Sequence, residues 1–402
     1  MKKILTLLLA LWMLTGCVAM AAGNQLVVGS TTAMSGAFFT DLFGSNTADI
    51  DVRALLHGYN LMSWDHETGT YQINDSVVAG MAVSRDAQNN RVYTFDLYGD
   101  LKFSDGSAIT AKDYAFSILL TASPELAKLG GQSAAVGAIL GMDAYQSGKS
   151  SVLRGVRLLS DTQMSITISK AYEPYFYEMA LFDYSPYPIS ILAPGCKVVD
   201  TEKGVGIVNA GGTGAAIFTA GLLQKTILDA ATGYMSHPSV VSGPYTLTNY
   251  DAQSGTASFA INPYYKGNED GEKPTIETIV YRTVANDEAI DLLLSGEVDL
   301  LNKMVAADTI SKGIQSTADQ PFSVANYPRS GLSMISFSCE RQTVSSKAVR
   351  QAIASCFDRD ALVKAYTGNF GLKANGYFGI GQWMYQLAAG TIQPPVADLP
   401  AN

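Results

Sequence analysis

An α/β or α+β fold, spread over about two or three domains, is what this 402-residue chain predicts from three features. Stretches of alternating apolar and polar residues recur along its length. Between them lie stretches with helical apolar spacing. No fixed-period repeat or long low-complexity segment interrupts the pattern, and 47% hydrophobic residues with 37 glycines suit a globular protein.

Taken in order, Gln25 to Gly29 is a short apolar run and reads as the first strand. Thr31 to Gly44, rich in Ser, Gly and Phe, reads as a loop entering a helix, and Asp51 to Met62 carries helical spacing. Tyr93, Phe95 and Leu97 alternate with Thr94, Asp96 and Tyr98, the pattern of a half-buried strand. Asp105-Gly106 marks a turn. Thr110 precedes Asp113 by three residues, which opens a helix through about Leu120. Met164, Ile166 and Ile168 form another alternating strand. Prolines at 174, 186, 188 and 194 predict an irregular connection, and Gly204 to Gly221 is rich in Gly and Ala.

After Gly243-Pro244 the pattern changes. Strands are expected over Tyr245 to Tyr250, Thr256 to Ile261 and Ile276 to Arg282. Asp287 is placed to cap a helix through Leu294, which Gly296 stops. Val298 to Leu301 and Leu332 to Ser338 read as strands. Val349, Ala352, Ile353, Cys356 and Phe357 share one helical face.

The net charge is −9, with an isoelectric point near 4.9. Nucleic acid is therefore not an expected partner, because phosphate binding needs a basic surface. At the start, Lys2 and Lys3 precede an apolar run from Ile4 to Leu14. The run is too short to span a membrane and fits a signal peptide over 1–16. Leu14-Thr15-Gly16-Cys17 resembles the bacterial lipobox, whose Cys thiol takes the lipid. This predicts a mature chain starting at Cys17, tethered outside the cytoplasm through a linker at 17–24. The other reading is an ordinary signal peptide cut near Ala19 to Ala22. Cys196, Cys339 and Cys356 match no zinc spacing, and at least one of the three is unpaired. A Cys339–Cys356 disulfide stays open, and Cys356 on its apolar helix face reads as a buried thiol.

Enzymatic signatures are missing. His57, His66 and His237 show no metal-binding spacing and read as surface or core residues. No Gly-x-Ser-x-Gly elbow occurs, and Gly211-Gly212-Thr213-Gly214 lacks a P-loop Lys. Neither catalytic residue, cofactor nor metal is expected.

Three blocks carry a family resemblance. The first joins Tyr93-Thr94-Phe95-Asp96-Leu97, Leu101-Lys102-Phe103-Ser104-Asp105-Gly106 and Ile109-Thr110-Ala111-Lys112-Asp113. The second joins Ser242-Gly243-Pro244-Tyr245, Asn262-Pro263-Tyr264-Tyr265 and Leu294-Ser295-Gly296-Glu297-Val298-Asp299. The third runs from Val349-Arg350-Gln351-Ala352-Ile353 to Phe357-Asp358-Arg359. Together, over about residues 25 to 385, they resemble the extracytoplasmic solute-binding proteins of oligopeptide and dipeptide ABC transporters. The residues themselves read as turns and helix caps, with Asp299 near a cation still unnamed.

The resemblance implies an α/β fold with two lobes and an accessory domain. Lobe one would comprise 25–54 and 185–282, the accessory domain 55–184, and an incomplete lobe two 283–402, since members continue beyond this chain's Pro394-Pro395 and Pro400. It implies a monomer that captures di- to oligopeptides by hinge closure and delivers them to permease subunits. Ligand contacts are expected by position from the Met34-Ser35-Gly36-Ala37-Phe38-Phe39 loop, which follows the first strand, where open α/β sheets place ligands. Further candidates are Gly331 and Ser333 at a strand border, and Trp383 and Tyr385 as an aromatic wall. Core packing or a turn is the other reading of each. Two alternatives in function remain: a binder of a nickel complex, haem or sugar on the same fold, or a non-binding surface protein.

Overall fold

The computed structural model of the chain describes residues 24–65, 69–132, 137–175, 177–317, 321–327, 331–368, 370–374, 376–388 and 390. The expected signal peptide, Cys17, His66 and the prolines at 394, 395 and 400 lie outside these residues. The chain divides into two compact units. One comprises Met1–Ser63, Tyr71–Val284 and Glu297–Leu300; the other Trp64–Thr70, Ala285–Gly296 and Leu301–Asn402.

In the first unit, strand β1 (Gln25–Ser30) leads through a loop to helix α1 (Thr47–Leu56). This helix starts four residues before the expected Asp51. The Asn46 side chain accepts from the amides of Ala48 and Asp49, while Asp49 accepts from the Asn46 amide, so both ends of the cap are satisfied. It also stops short of Met62, which opens strand β2 (Met62–Asp65), paired with β3 (Thr70–Ile73).

Strands β4 (Val78–Arg85), β5 (Arg91–Leu97), β6 (Val152–Leu153), β7 (Val156–Leu158) and β8 (Gln163–Ile168) follow. Four of them form an antiparallel sheet in the order β4-β5-β8-β7. Phe95 faces Met164 and Tyr93 faces Ile166 across the ladder, and all four are buried. Helix α2 (Ala111–Thr121) lies in this core, with Tyr114, Phe116 and Ile118 fully buried. Asp113 accepts from the amide and hydroxyl of Thr110 at 2.8 and 2.9 Å. Burial nevertheless pushes its carboxyl up to about 6.

Strands β9 (Cys196–Thr201) and β10 (Gly204–Asn209) join β6 in a small sheet, ordered β6-β10-β9. At Gly204 the backbone has φ +130°, and a Cβ would stand 2.4 Å from the Leu153 carbonyl oxygen. Only glycine fits there. After α3 (Ala220–Thr226), strands β11 (Tyr245–Asp251), β12 (Thr256–Ile261) and β13 (Thr278–Thr283) pair antiparallel in sequence.

The main sheet has five strands, ordered β11-β12-β13-β1-β14, with β14 at Leu300–Leu301. Strands β1 and β13 run parallel, Gln25 facing Thr278 and Ser30 facing Thr283. Asp299 pairs with backbone, and with no cation among the described residues. Its Oδ2 accepts from the Val27 amide at 2.7 Å, and its own amide donates to the Val27 carbonyl at 2.9 Å. Val28, Phe38, Val52, Leu56, Phe259 and Tyr281 form the core between this sheet and α1.

The second unit holds helices α4 (Ala289–Ser295), α5 (Ala307–Thr317), α6 (Lys347–Ser355), α7 (Arg359–Thr367) and α8 (Trp383–Ala388). Glu288, not the expected Asp287, occupies the N-cap of α4, and Gly296 ends it with φ +76°. Lys312 and Asp291 form an ion pair at 2.8 Å between α5 and α4. The strand expected over Leu332 to Ser338 is absent: those residues join no ladder among the described residues, and alternation alone cannot supply a neighbour. Helix α6 forms, but its apolar face stays open, with Val349 and Phe357 each 41% exposed. Cys356 is accordingly exposed and not buried. It forms no disulfide with Cys339; both are free and exposed, while Cys196 is free and buried.

Candidate functional site

The loop after β1 leaves from the carboxyl end of a parallel strand, where backbone groups no longer needed by the ladder become available. Helix α1 holds this loop through three side chains spaced four residues apart, which therefore share one face. Asp49 accepts from the Ser35 amide at 2.8 Å and the Ser35 hydroxyl at 2.7 Å. Arg53 donates to the Ala37 carbonyl at 2.7 Å and to the Ser45 hydroxyl at 3.0 Å. His57, just past the helix end, donates from Nε2 to the Phe38 carbonyl at 2.9 Å. Burial lowers the His57 pKa to about 4 although that hydrogen bond opposes it, so the ring is neutral at physiological pH. From the other side, the Phe38 amide donates to the Met235 carbonyl at 2.9 Å.

At Gly36 the backbone takes φ +84°, a left-handed conformation that glycine adopts without strain. A Cβ there would also lie 3.4 Å from Ser236 and from the Tyr250 ring.

Beside this loop opens a recess of about 320 Å³. Ser35, Gly36 and Ala37 form one wall, Phe43 and Gly44 another, and the segment after α3 a third, through Leu228, Asp229, Met235 and Ser236. Asp229 is the only charged residue lining it among the described residues. One of its carboxylate oxygens accepts from the amides of Ala231 and Thr232 and from the Thr232 hydroxyl, at 3.0, 2.9 and 3.0 Å. Those hydrogen bonds hold its carboxyl below the usual range. The recess thus offers a fixed negative charge, a Ser hydroxyl and a close-approach glycine on a braced backbone.

The residues expected at the site fall into three groups. Ser35, which is exposed, and Gly36 line the recess. Met34 and Phe38 point into the core under the main sheet, and Phe38 meets Tyr250 edge-on at 4.6 Å. Phe39 belongs to the larger core, edge-on to Tyr187 at 4.6 Å and to Tyr234 at 4.9 Å. The other four lie on the second unit. Gly331 and Ser333 are exposed in a segment without helix or strand, and Trp383 and Tyr385 are half-buried on α8. Trp383 packs beside Gly69, at 3.8 Å from where a Cβ would sit. Cys17 lies outside the described residues. Sequence reasoning missed the brace of Asp49, Arg53 and His57, whose spacing was a usable signal, and Asp229, which no motif marks.

Comparison with known proteins gives this architecture its place. Residues 76–394 match the bacterial extracellular solute-binding proteins, family 5 Middle. The chain is 23% identical over 307 residues to the periplasmic oligopeptide-binding protein OppA of Escherichia coli, covering 74% of this chain and 48% of that protein. It is 27% identical over 234 residues to the oligopeptide-binding protein OppA of Lactococcus lactis, covering 57% of this chain and 32% of the relative. The chain therefore spans half or less of the length of these relatives. Lactococcal OppA, solved with an endogenous peptide in the closed conformation, superposes with a TM-score of 0.63 at 17% identity, over 92% of this chain and 67% of that one. The fold is thus the α/β fold of the two-lobed periplasmic binding proteins. These relatives are binding proteins by name and none is an enzyme. The chain belongs to the bacterial extracellular solute-binding proteins of family 5.

Proposed function

We propose that this chain captures di- to oligopeptides outside the cytoplasm for an ABC transporter and delivers them to its permease subunits. In this reading residues 1–16 are removed as a signal peptide, and acyl chains on Cys17 hold the monomer at the cell membrane through the 17–24 linker. Lobe one is assigned to 25–54 and 185–282, the accessory domain to 55–184 and lobe two to 283–402. The single sheet that unites β1 with β11, β12 and β13 supports the discontinuous first lobe.

The observation that carries the reading is the braced recess at the end of β1, in a chain whose relatives bind oligopeptides. Ser35 and Gly36 are the proposed contacts there, with Met34, Phe38 and Phe39 supporting them from the cores. Gly331, Ser333, Trp383 and Tyr385 are the proposed contacts on the second unit. An extended peptide suits such a surface, because its backbone hydrogen bonds are independent of side-chain identity.

Thermal unfolding of the mature chain with a pool of short peptides tests the proposal. Ligand at about 100 times its dissociation constant adds about 2.7 kcal/mol, and the midpoint rises. No shift with peptides, or a shift only with a nickel–histidine complex, haem or sugars, overturns it.

A further inference from the structure

We propose that the free edge of β4 pairs with the β4 edge of a second copy of this chain, antiparallel and centred on Ala82. The edge lies within the first unit and lines no part of the recess of the proposed function, so the inference does not rest on that reading.

An edge strand offers backbone N–H and C=O groups to any extended chain, and proteins guard such edges with charge, proline, shortness or a cover. The sheet β4-β5-β8-β7 guards one edge and not the other. Strand β7 has three residues, and the Asp200 carboxylate caps them, accepting from the Leu158 amide at 2.9 Å and from the Arg157 side chain at 2.9 Å. Strand β4 has eight residues, Val78-Ala79-Gly80-Met81-Ala82-Val83-Ser84-Arg85, with no proline and no charge before Arg85. Its register against β5 slips between Val78 and Gly80, then runs unbroken from Gly80 to Arg85. Among the described residues, no hydrogen bond from outside the ladder reaches Gly80 to Ser84. Arg85 is already engaged, donating to Glu173 at 2.7 Å and to the Asn89 carbonyl at 2.7 Å.

A second observation concerns side chains. Met81 stands opposite Phe95 and Val83 opposite Tyr93, and both partners are buried, so the two share the face turned to the α2 core. Met81 packs against that core, but Val83 is 52% exposed. The apolar face therefore runs out at β4 with no neighbour on its far side. The opposite face carries only the small residues Gly80, Ala82 and Ser84.

A second copy suits both faces. Directly opposed residues in an antiparallel pair share a face, and a two-fold axis makes the contact self-complementary. With Ala82 at the centre, Met81 of each copy meets Val83 of the other and extends the apolar face across the seam. Ala82 meets Ala82, Gly80 meets Ser84, and no like charges oppose. A centre at Val83 would set Arg85 against Met81, and one at Met81 would set Val83 against Ala79, where the register is broken. So short a contact buries less than the roughly 800 Å² per partner of a stable interface. The pair is therefore transient, and the dilute chain is a monomer.

Sedimentation equilibrium of the mature chain from about 10 μM to about 1 mM tests this. The native chain is expected to pass reversibly from monomer to dimer. Ala82→Lys and Ala82→Glu, at an exposed position, each set like charges against one another across the axis. Each is expected to weaken the dimer at least about tenfold, with an unchanged circular dichroism spectrum. An equimolar mixture of the two variants is expected to regain the native association. The native series needs no variant, so it decides even where a substitution misfolds. A native chain that stays monomeric throughout would overturn the proposal. So would folded variants that associate as the native chain does, or a mixture no stronger than its components.

Discussion

Acidification is expected to weaken the brace of the β1 loop through His57. The folded ring has a pKa of about 4, against 6.5 for the unperturbed side chain. Above about pH 6.5 the ring is neutral in both states, and nothing changes. As pH falls from 6.5 towards 4, the unfolded chain takes up a proton that the folded chain refuses, so stability falls. Below about 4 both states carry the proton and the loss levels off. At about 1.36 kcal/mol per pH unit, the ceiling is about 3 kcal/mol. Because the residue keeps some contact with solvent, about 2 kcal/mol is the expected loss.

Asp113 runs the other way. Its pKa is raised to about 6, so its contribution is full below its unfolded value near 3.8 and is lost as pH rises through 6. The profile of the native chain therefore mixes two opposite slopes. His57→Gln separates them, because glutamine keeps an N–H for the Phe38 carbonyl but does not titrate. Urea unfolding of both chains, followed by circular dichroism at about pH 7.5 and about pH 4.5, gives the difference between them. Asp113 is common to both and cancels. A difference that changes by less than about 0.5 kcal/mol between the two pH values would refute the assignment of His57 as a buried neutral donor.

Three further outcomes follow from the packing. Asp49→Ala removes the acceptor for the Ser35 amide, the Ser35 hydroxyl and the Asn46 amide. It is expected to cost about 3 kcal/mol in urea unfolding, and Asp49→Asn to recover part of that. Gly204→Ala places a methyl group 2.4 Å from the Leu153 oxygen at a positive φ. A loss of at least about 2 kcal/mol is expected, read as a lower thermal midpoint. A thiol reagent should modify the exposed Cys339 and Cys356 quickly, and Cys196 only after denaturation, as peptide mapping would show.

Where an element carried its own signal, it was readable from the sequence. The alternation of Tyr93, Phe95 and Leu97 marked β5, and Thr110 with Asp113 marked the start of α2. In both, the residues that define the pattern are also those that bury or cap. Elements whose state depends on distant partners were read less well. Leu332 to Ser338 alternates like a strand but has no described neighbour to complete its hydrogen bonds. The α6 face was read correctly as apolar and incorrectly as covered, because amphipathicity says which side is apolar and not what meets it. Of the residues named from their position after β1, Ser35 and Gly36 line the recess. Within the same six-residue loop, which side chains turn inward depends on two separate cores meeting there, and local sequence does not encode that.

The parallel pairing of β1 with β13 constrains the order in which this chain can organise itself. Gln25 finds its partner on β13 at Thr278, so β1 must wait for a strand about 250 residues further along the chain. Everything between can meanwhile collapse on contacts of its own, as the antiparallel β5–β8 ladder and the core around α2 do. The late step is then the return of a short strand to an open edge of β13. Until it arrives, that edge presents unpaired backbone groups to any other extended segment nearby. The vulnerable interval of this protein therefore lies between the emergence of β13 and its pairing with β1, when the segments between them have already condensed and only the seam remains to be closed.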